Sequence, residues 1–212
     1  MLTGDKPTFD KFPFFFHPFS GMISGERDKV MENGKAEQAM AAWFWYFVLY
    51  SFLGFLLEVV FARVTRQPKR DRKCFYLLPL CPVYGLGALA ILALPGWVKA
   101  NLFLLVLAGG AAATMVEYLV GLWDEKVLGV RFWNYTGVPG NVGGKVCLPF
   151  AAAWGVLSLG LVKLVHPWVA LWIGAIPVWL TPAAAVLVAG DWAYSALLLR
   201  RAGTTDVLKW YD

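Results

Sequence analysis

Three carboxylates lie inside long apolar stretches of this chain: Glu58, Glu117 and Asp191. A charged side chain near the centre of a bilayer costs about 2.5–3.5 kcal/mol or more, so such residues usually face a bundle interior, a partner or a watery cavity. There the carboxylate pairs with a basic side chain, takes up a proton, or binds a cation during transport or catalysis. Any function of the chain is therefore to be sought at these acids.

The apolar stretches that carry them are long enough to cross a membrane. Crossing about 30 Å of hydrocarbon takes about 20 apolar helical residues. The stretches cover residues 41–62, 75–94, 102–123, 146–165 and 168–199. The chain is 59% hydrophobic and only 16% charged, against about 25% charged for soluble domains. We predict an all-α, polytopic membrane helical bundle at residues 41–200, with about five transmembrane helices, an aromatic and charged tail at 1–40 and a cytoplasmic tail at 201–212.

Prolines interrupt two of these stretches. Pro79 and Pro82 stand at the start of the second, and Pro177 and Pro182 divide the last, which leaves a fifth span near residues 180–199. Proline removes a backbone donor and breaks a helix. Irregular backbone is tolerated at membrane depth only against protein or water, so we expect broken or re-entrant segments here.

Residues 124–145 are too polar to span. Gly137, Gly140, Gly143 and Gly144 surround Asn141, a glycine density that suits a structured loop with positive dihedral angles, folded back into the bundle.

Basic residues set the expected orientation. Six of them crowd one short loop: Arg63, Arg66, Lys69, Arg70, Arg72 and Lys73. Such a flank is typical of the cytoplasmic side, so we expect an inner-membrane protein with its N-terminus outside and its C-terminus in the cytoplasm. This placement argues against nucleic acid as a partner. Arg70, Arg72 and Lys73 also form a candidate contact for a phosphate or a lipid headgroup.

Other features exclude several kinds of site. The chain contains no Gly-x-x-x-x-Gly-Lys-Ser/Thr motif, so an ATP-driven role would need a separate ATP-binding subunit. Its two histidines and three cysteines have no metal-type spacing, and no metal or cofactor is predicted. The aromatic residues between 9 and 19 suit an interfacial anchor, and His166 is expected at the outer surface. Five tryptophans are expected mostly in an interfacial belt, with the lining of a substrate cavity as the less favoured alternative: Trp123, Trp133, Trp154, Trp168 and Trp172.

The predicted topology places polar groups from separate segments on one side. Glu58 and Glu117 would lie at similar depth in the inner half of the bilayer, where Arg63, Lys73 or Lys145 could pair with them. The loop residues Asn134, Asn141 and Lys145 would enter from that side. We predict a polar cavity open to the cytoplasm, with Glu58, Glu117, Asp191, Asn134, Asn141, Lys145 and Tyr84 as candidate ligands of a cation or solute.

An ordered set of short motifs resembles a known bacterial family. The motifs are SFLGFLLE at 51–58, CPVYGLG at 81–87, EY at 117–118, WNY at 133–135, NVGGKVCL at 141–148, WG at 154–155, and Asp191 with Ser195. They are similar to the family labelled putative ABC-transporter type IV, the CmpB-like membrane proteins. The resemblance implies a permease subunit and carries over Glu58, Glu117, Asn141 and Asp191. The family pattern has Trp-Asp-Tyr where Asn134 stands, and arginine at Lys73 and Lys145.

Three functions remain open from the sequence. The first is a permease-like transporter that works as a homodimer in the lipid bilayer or with an ATP-binding subunit. The second is an intramembrane enzyme that acts on a lipid or isoprenoid phosphate. The third is a membrane scaffold or assembly partner whose acids only order the bundle.

Overall fold

A computed structural model of the chain describes residues 18–66 and 73–209, with the side chains of 18–28 and 30 excepted. Its α-helices are α1 (Pro18–Val64), α2 (Pro82–Leu92), α3 (Gly96–Ala100), α4 (Leu102–Trp123), α5 (Leu148–Gly160), α6 (His166–Gly174) and α7 (Leu180–Ala202). Two π-helical turns, Asp124–Leu128 and Leu161–Val165, follow α4 and α5, and a 3₁₀ turn covers Thr205–Leu208. No strand occurs in these described ranges.

The prediction of an all-α polytopic bundle is confirmed. Four helical stretches are long and apolar enough to cross a membrane: Met31–Val64, Leu102–Leu128, Leu148–Gly174 and Leu180–Ala202. The shorter apolar helix Pro82–Leu92 accompanies them. By compactness the chain forms two units, Met1–Ala39 and Met40–Asp212. In the first unit, the described side chains from 31 to 39 are nearly all exposed, as expected for its charged composition. The predicted anchor residues 9–17, and Lys69, Arg70 and Arg72, lie outside the described residues.

Local sequence signals account for the helix ends. Pro82 opens α2 at the position where a missing N–H is harmless. The Asn101 side chain caps α4 by accepting from the Leu104 N–H at 3.1 Å. Gly203 ends α7 with φ 65°, a conformation that glycine adopts without steric cost.

The pairing of α4 with α5 depends on small residues. A Cβ added to Gly110 would lie 3.1 Å from the Gly155 Cα, and one added to Gly155 would lie 2.8 Å from the Val106 carbonyl oxygen. Close backbone approach of this kind is how helices associate where lipid gives no hydrophobic driving force. It brings Trp154 into a buried cluster with Ile91, Leu105 and Ala113.

The entry to α2 is irregular, as the prolines predicted. The Cys74 N–H donates to the Leu80 carbonyl at 3.0 Å, and the Cys81 N–H donates to the Ser51 carbonyl of α1 at 3.0 Å. The irregular segment 73–81 is thus tied to a neighbouring helix, which satisfies the rule that non-helical backbone at this depth needs protein partners.

The glycine-rich loop between α4 and α5 has the predicted dihedral angles. Gly137, Gly140, Gly143 and Gly144 all have positive φ, between 59° and 88°. The Tyr135 N–H donates to the Gly144 carbonyl at 2.8 Å, which folds the loop onto itself.

The helical path through Pro167 extends beyond the predicted fourth stretch, residues 146–165. The π-helical turn lets the His166 N–H donate to the Leu161 carbonyl five residues earlier. Pro167 then falls in the first turn of α6, where its missing donor is tolerated. The helical path therefore continues to Gly174, and His166 lies within it, with its Nδ1 3.0 Å from the Tyr50 hydroxyl. The predicted break at Pro177 does occur, between α6 and α7.

Candidate functional site

Glu117 is the least exposed of the three intramembrane acids. It lies on α4 and is 5% exposed. The Tyr135 hydroxyl donates to its Oε1 at 2.9 Å, and the Trp154 indole N–H donates to its Oε2 at 2.9 Å. One donor comes from the glycine-rich loop and the other from α5, so three segments of the chain meet at this carboxylate.

Glu58 has a comparable partner on α2. The Tyr84 hydroxyl donates to its Oε1 at 2.7 Å. Room for the ring exists because residue 54, one helical turn before Glu58, is glycine. A Cβ at Gly54 would lie 2.2 Å from the Tyr84 Cβ, which no real pair of atoms tolerates. The glycine at 54 is therefore required by the position of Tyr84.

The two acids belong to one aromatic cluster. The rings of Tyr84 and Trp154 are 5.0 Å apart, which joins the partner of Glu58 to a partner of Glu117. We define the acidic cluster as Glu58, Tyr84, Glu117, Tyr135 and Trp154. Burial raises the pKa of the Tyr135 phenol, and the nearby Glu117 raises it further. Tyr135 therefore stays protonated at neutral pH and serves as a neutral donor.

Two of the basic residues expected near the acids, Lys73 and Lys145, hydrogen-bond or pair with groups outside the acidic cluster. The Lys145 ammonium pairs with Glu125, which also pairs with Arg131. Lys73 is 3% exposed, and its Nζ donates to the Tyr76 carbonyl at 2.7 Å. Within the described part of the chain, Glu117 contacts no cationic side chain, and its hydrogen-bond partners are the two neutral donors.

Asp191 lies in a different environment. The Leu77 N–H donates to both carboxylate oxygens at 3.1 Å, and the Leu78 N–H donates to Oδ2 at 2.7 Å. One turn later on α7, the Ser195 Oγ accepts from the Tyr76 N–H at 2.8 Å. Asp191 and Ser195 therefore supply the acceptors that the irregular segment 73–81 needs for three successive backbone donors.

The predicted loop residues stabilise the loop. The Asn134 Oδ1 accepts from the Thr136 N–H at 3.0 Å and from its hydroxyl at 2.7 Å. The Asn141 side chain is exposed and donates to the Val138 carbonyl at 3.1 Å. The Lys145 carbonyl accepts from the Trp133 indole at 2.7 Å. Of the predicted ligands, the structure thus joins Glu58, Tyr84 and Glu117, while the hydrogen bonds of Asn134, Asn141, Lys145 and Asp191 lie elsewhere.

Two members of the acidic cluster were not among the predicted ligands. Tyr135 appeared only within the WNY motif, and Trp154 was assigned to the interfacial belt. That assignment is wrong, because Trp154 is 8% exposed and donates to a buried acid. The adjacent Gly155 was the available signal, since a small residue beside tryptophan marks a close helix contact. Trp168 and Trp172, by contrast, are about two-thirds exposed.

The model of the family described as "Putative ABC-transporter type IV" matches residues 45–196. The chain belongs to this family. The matched range includes the whole acidic cluster and Asp191. No curated protein and no solved structure matches the chain. Together with the apolar helices, the family indicates a multi-pass membrane protein related to transport.

Proposed function

We propose that the chain is a permease-like protein in which the acidic cluster binds a cation or a small polar solute. The observation that carries this proposal is the environment of Glu117, a buried carboxylate on a spanning helix whose hydrogen-bond partners are two neutral donors. Intramembrane acids placed in this way typically belong to ion or substrate pathways.

The charge balance at Glu117 favours a bound cation or proton. Removing a carboxylate from water costs several kcal/mol unless a positive charge or a full set of hydrogen bonds compensates. Tyr135 and Trp154 supply one hydrogen bond to each oxygen, which leaves further acceptor capacity on both. A positively charged or donor-rich solute would use this capacity at Glu117, beside Glu58 in the same cluster.

The proposed orientation follows the basic residues. Arg63 lies in the last turn of α1, and Arg200 and Arg201 lie in the last turn of α7. If these helix ends lie on the cytoplasmic side of the inner membrane, Glu58 and Glu117 lie in the cytoplasmic half of their spans. We propose a cytoplasm-facing site that works either in a homodimer or with a separate ATP-binding subunit.

An exchange assay tests this function without an energy source. Purified protein in proteoliposomes would be loaded with Na⁺, K⁺ or a panel of polar solutes, and exchange of the labelled species would be followed. Glu117→Gln should reduce exchange at least tenfold, because an amide keeps one acceptor but carries no charge. Glu37→Gln, at an exposed position, is the matched control and should match wild type.

Two results would contradict the proposal. One is exchange of a solute that is unchanged in both Glu117→Gln and Glu58→Gln. The other is an absence of exchange for every species, together with a loss of stability in the Gln variants, which would favour the scaffold. The enzyme alternative depends on a contact at Arg70 and Arg72, which lie outside the described residues, whereas the permease-like function is argued from the described partners of Glu117.

A further inference from the structure

A cavity with one open side lies away from the acidic cluster. It has a volume of about 340 Å³ and is bounded by α2, α4, α7 and the start of the glycine-rich loop. None of the five residues of the acidic cluster lines it. Its size falls at the lower end of the range of about 300–1,000 Å³ typical of small-molecule sites.

The walls of this cavity combine aromatic rings with one acid. Four aromatic residues contribute to the lining: Trp123, Phe132, Trp133 and Trp192. The acid is Asp124, the first residue after α4, and Ser195 adds a hydroxyl group. Trp123 and Trp192 are each nearly half exposed, so the cavity has an edge at the surface of the bundle from which a ligand could enter.

Asp124 is a buried acid in the lining of this cavity. The residue is 7% exposed. Within the described part of the chain its carboxylate makes no hydrogen bond or ion pair, whereas its backbone carbonyl accepts from the Val130 N–H at 3.1 Å. Of the basic side chains that follow Asp124 in the sequence, Lys126 is exposed, and Arg131 and Lys145 pair with Glu125. A carboxylate buried in this way strongly favours the arrival of a positive charge.

The residues that line the cavity indicate which kind of cation would bind there. A metal ion needs several oxygen, nitrogen or sulfur ligands, and the described residues contain no group of three His, Cys, Asp or Glu side chains that could hold one. Aromatic faces attract organic cations, with tryptophan the strongest. Apolar walls, aromatic faces and a single carboxylate therefore match an ammonium group attached to an apolar body.

We propose that this cavity binds an organic ammonium ion, with its apolar part among the rings and its cationic nitrogen against the Asp124 carboxylate. The ligand is either a lipid with an amine headgroup or a soluble hydrophobic amine, since both present the same chemistry. This site does not depend on solute binding at Glu117, because the two acids have separate surroundings.

Two isosteric probes test the requirement for charge. Phenyltrimethylammonium and its uncharged isostere tert-butylbenzene would be titrated into the full-length protein in an uncharged detergent, with binding followed by calorimetry. Wild type should bind the ammonium more tightly. Asp124→Asn should weaken ammonium binding at least tenfold and leave tert-butylbenzene binding unchanged, which would show that the cavity persists. Equal ammonium affinity in wild type and Asp124→Asn would overturn the proposal, as would equal affinity of wild type for both probes.

A second variant tests the aromatic wall. Trp192→Leu keeps an apolar side chain but removes a ring face, so it should lower ammonium affinity several-fold with little change for tert-butylbenzene. Glu37→Gln is the control for a remote loss of negative charge and should bind both probes as wild type does. An ammonium affinity that falls equally in the control would contradict a role for Asp124.

Competition identifies the source of the ammonium. Dihexanoyl phosphatidylethanolamine and dihexanoyl phosphatidylglycerol would be added to the phenyltrimethylammonium complex. Displacement by the first lipid alone would support a lipid amine headgroup, and displacement by neither would support a soluble amine. Equal displacement by both would contradict the proposal, because the glycerol headgroup carries no ammonium.

Discussion

Asp191 and Glu117 are both buried carboxylates on spanning helices, yet their partners differ in kind. Asp191 accepts from the backbone N–H groups of Leu77 and Leu78. Glu117 accepts from the side chains of Tyr135 and Trp154. The first acid replaces acceptors that an irregular segment would otherwise lack at membrane depth. The second acid accepts from no backbone N–H group outside its own helix among the described residues.

This difference separates two uses of negative charge inside a membrane protein. Backbone donors are fixed by the path of the chain, so a carboxylate bound to them is part of the fold. One side-chain donor on each oxygen, such as a phenol or an indole, leaves acceptor capacity on the carboxylate that a bound cation can use. We therefore propose that Asp191 belongs to the architecture and Glu117 to a binding site. The following changes test that division in order of expected effect.

The largest effect is expected at Asp191. Asp191→Ala would leave the Leu77 and Leu78 N–H groups without acceptors, and each hydrogen bond to a charged group contributes about 1.5–3 kcal/mol. We expect a loss of about 3–6 kcal/mol in the free energy of unfolding, measured by denaturant titration in mixed micelles. Asp206→Ala, at a residue whose side chain is 52% exposed, should change stability by about 1 kcal/mol or less. Equal effects of the two changes would contradict the structural role of Asp191.

The next effect is expected at Gly54, which makes room for the Tyr84 ring beside Glu58. Gly54→Ala would push Tyr84 aside and should destabilise the bundle by about 1–3 kcal/mol, the usual cost of overpacking. Its control is Gly160→Ala on α5, where an added Cβ meets nothing within 4 Å and alanine should gain up to about 1 kcal/mol of helix propensity. A neutral Gly54→Ala would show that Tyr84 is not fixed in the position described.

A smaller effect is expected at Tyr135. Tyr135→Phe removes one donor from Glu117 and should cost about 1–2 kcal/mol. Because its pKa is raised in the folded state, the tyrosine contributes stability that is fully present below its unfolded value of about 10 and lost only as the pH rises further. The difference in the free energy of unfolding between Tyr135→Phe and wild type, measured by denaturant titration, should thus be constant from about pH 6 to 9. A difference that changes sharply in that window would contradict the assignment of Tyr135 as a neutral donor.

The smallest effect is expected at Glu125, which pairs with Lys145 and Arg131 near the surface. Glu125→Gln should leave unfolding and solute exchange indistinguishable from wild type at physiological salt, because exposed ion pairs are screened and contribute little. A loss of exchange comparable to that of Glu117→Gln would show that the binding function extends to the loop.

The sequence predicted the features that depend on local pattern. Long apolar runs located the spans, prolines located the irregular entry to α2, and glycines located the positive φ angles of the loop. The partners of the acids could not be predicted in the same way, because they depend on which segments meet in space. Nothing near Asp191 in the sequence shows that it would accept from Leu77, 114 residues away. The prediction for Trp154 was wrong because the sequence does not distinguish a tryptophan at a membrane interface from one that donates to a buried acid.

The most direct test of the division between the two acids is a thermal-stability screen of wild type, Glu117→Gln and Asp191→Asn against a panel of cations and polar solutes. We predict that a stabilising solute is found for wild type and that Glu117→Gln loses this stabilisation, with a smaller fall in its unliganded melting temperature than that of Asp191→Asn. Asp191→Asn should melt earliest but keep the solute-dependent shift. A solute-dependent shift that persists in Glu117→Gln and disappears in Asp191→Asn would contradict the account.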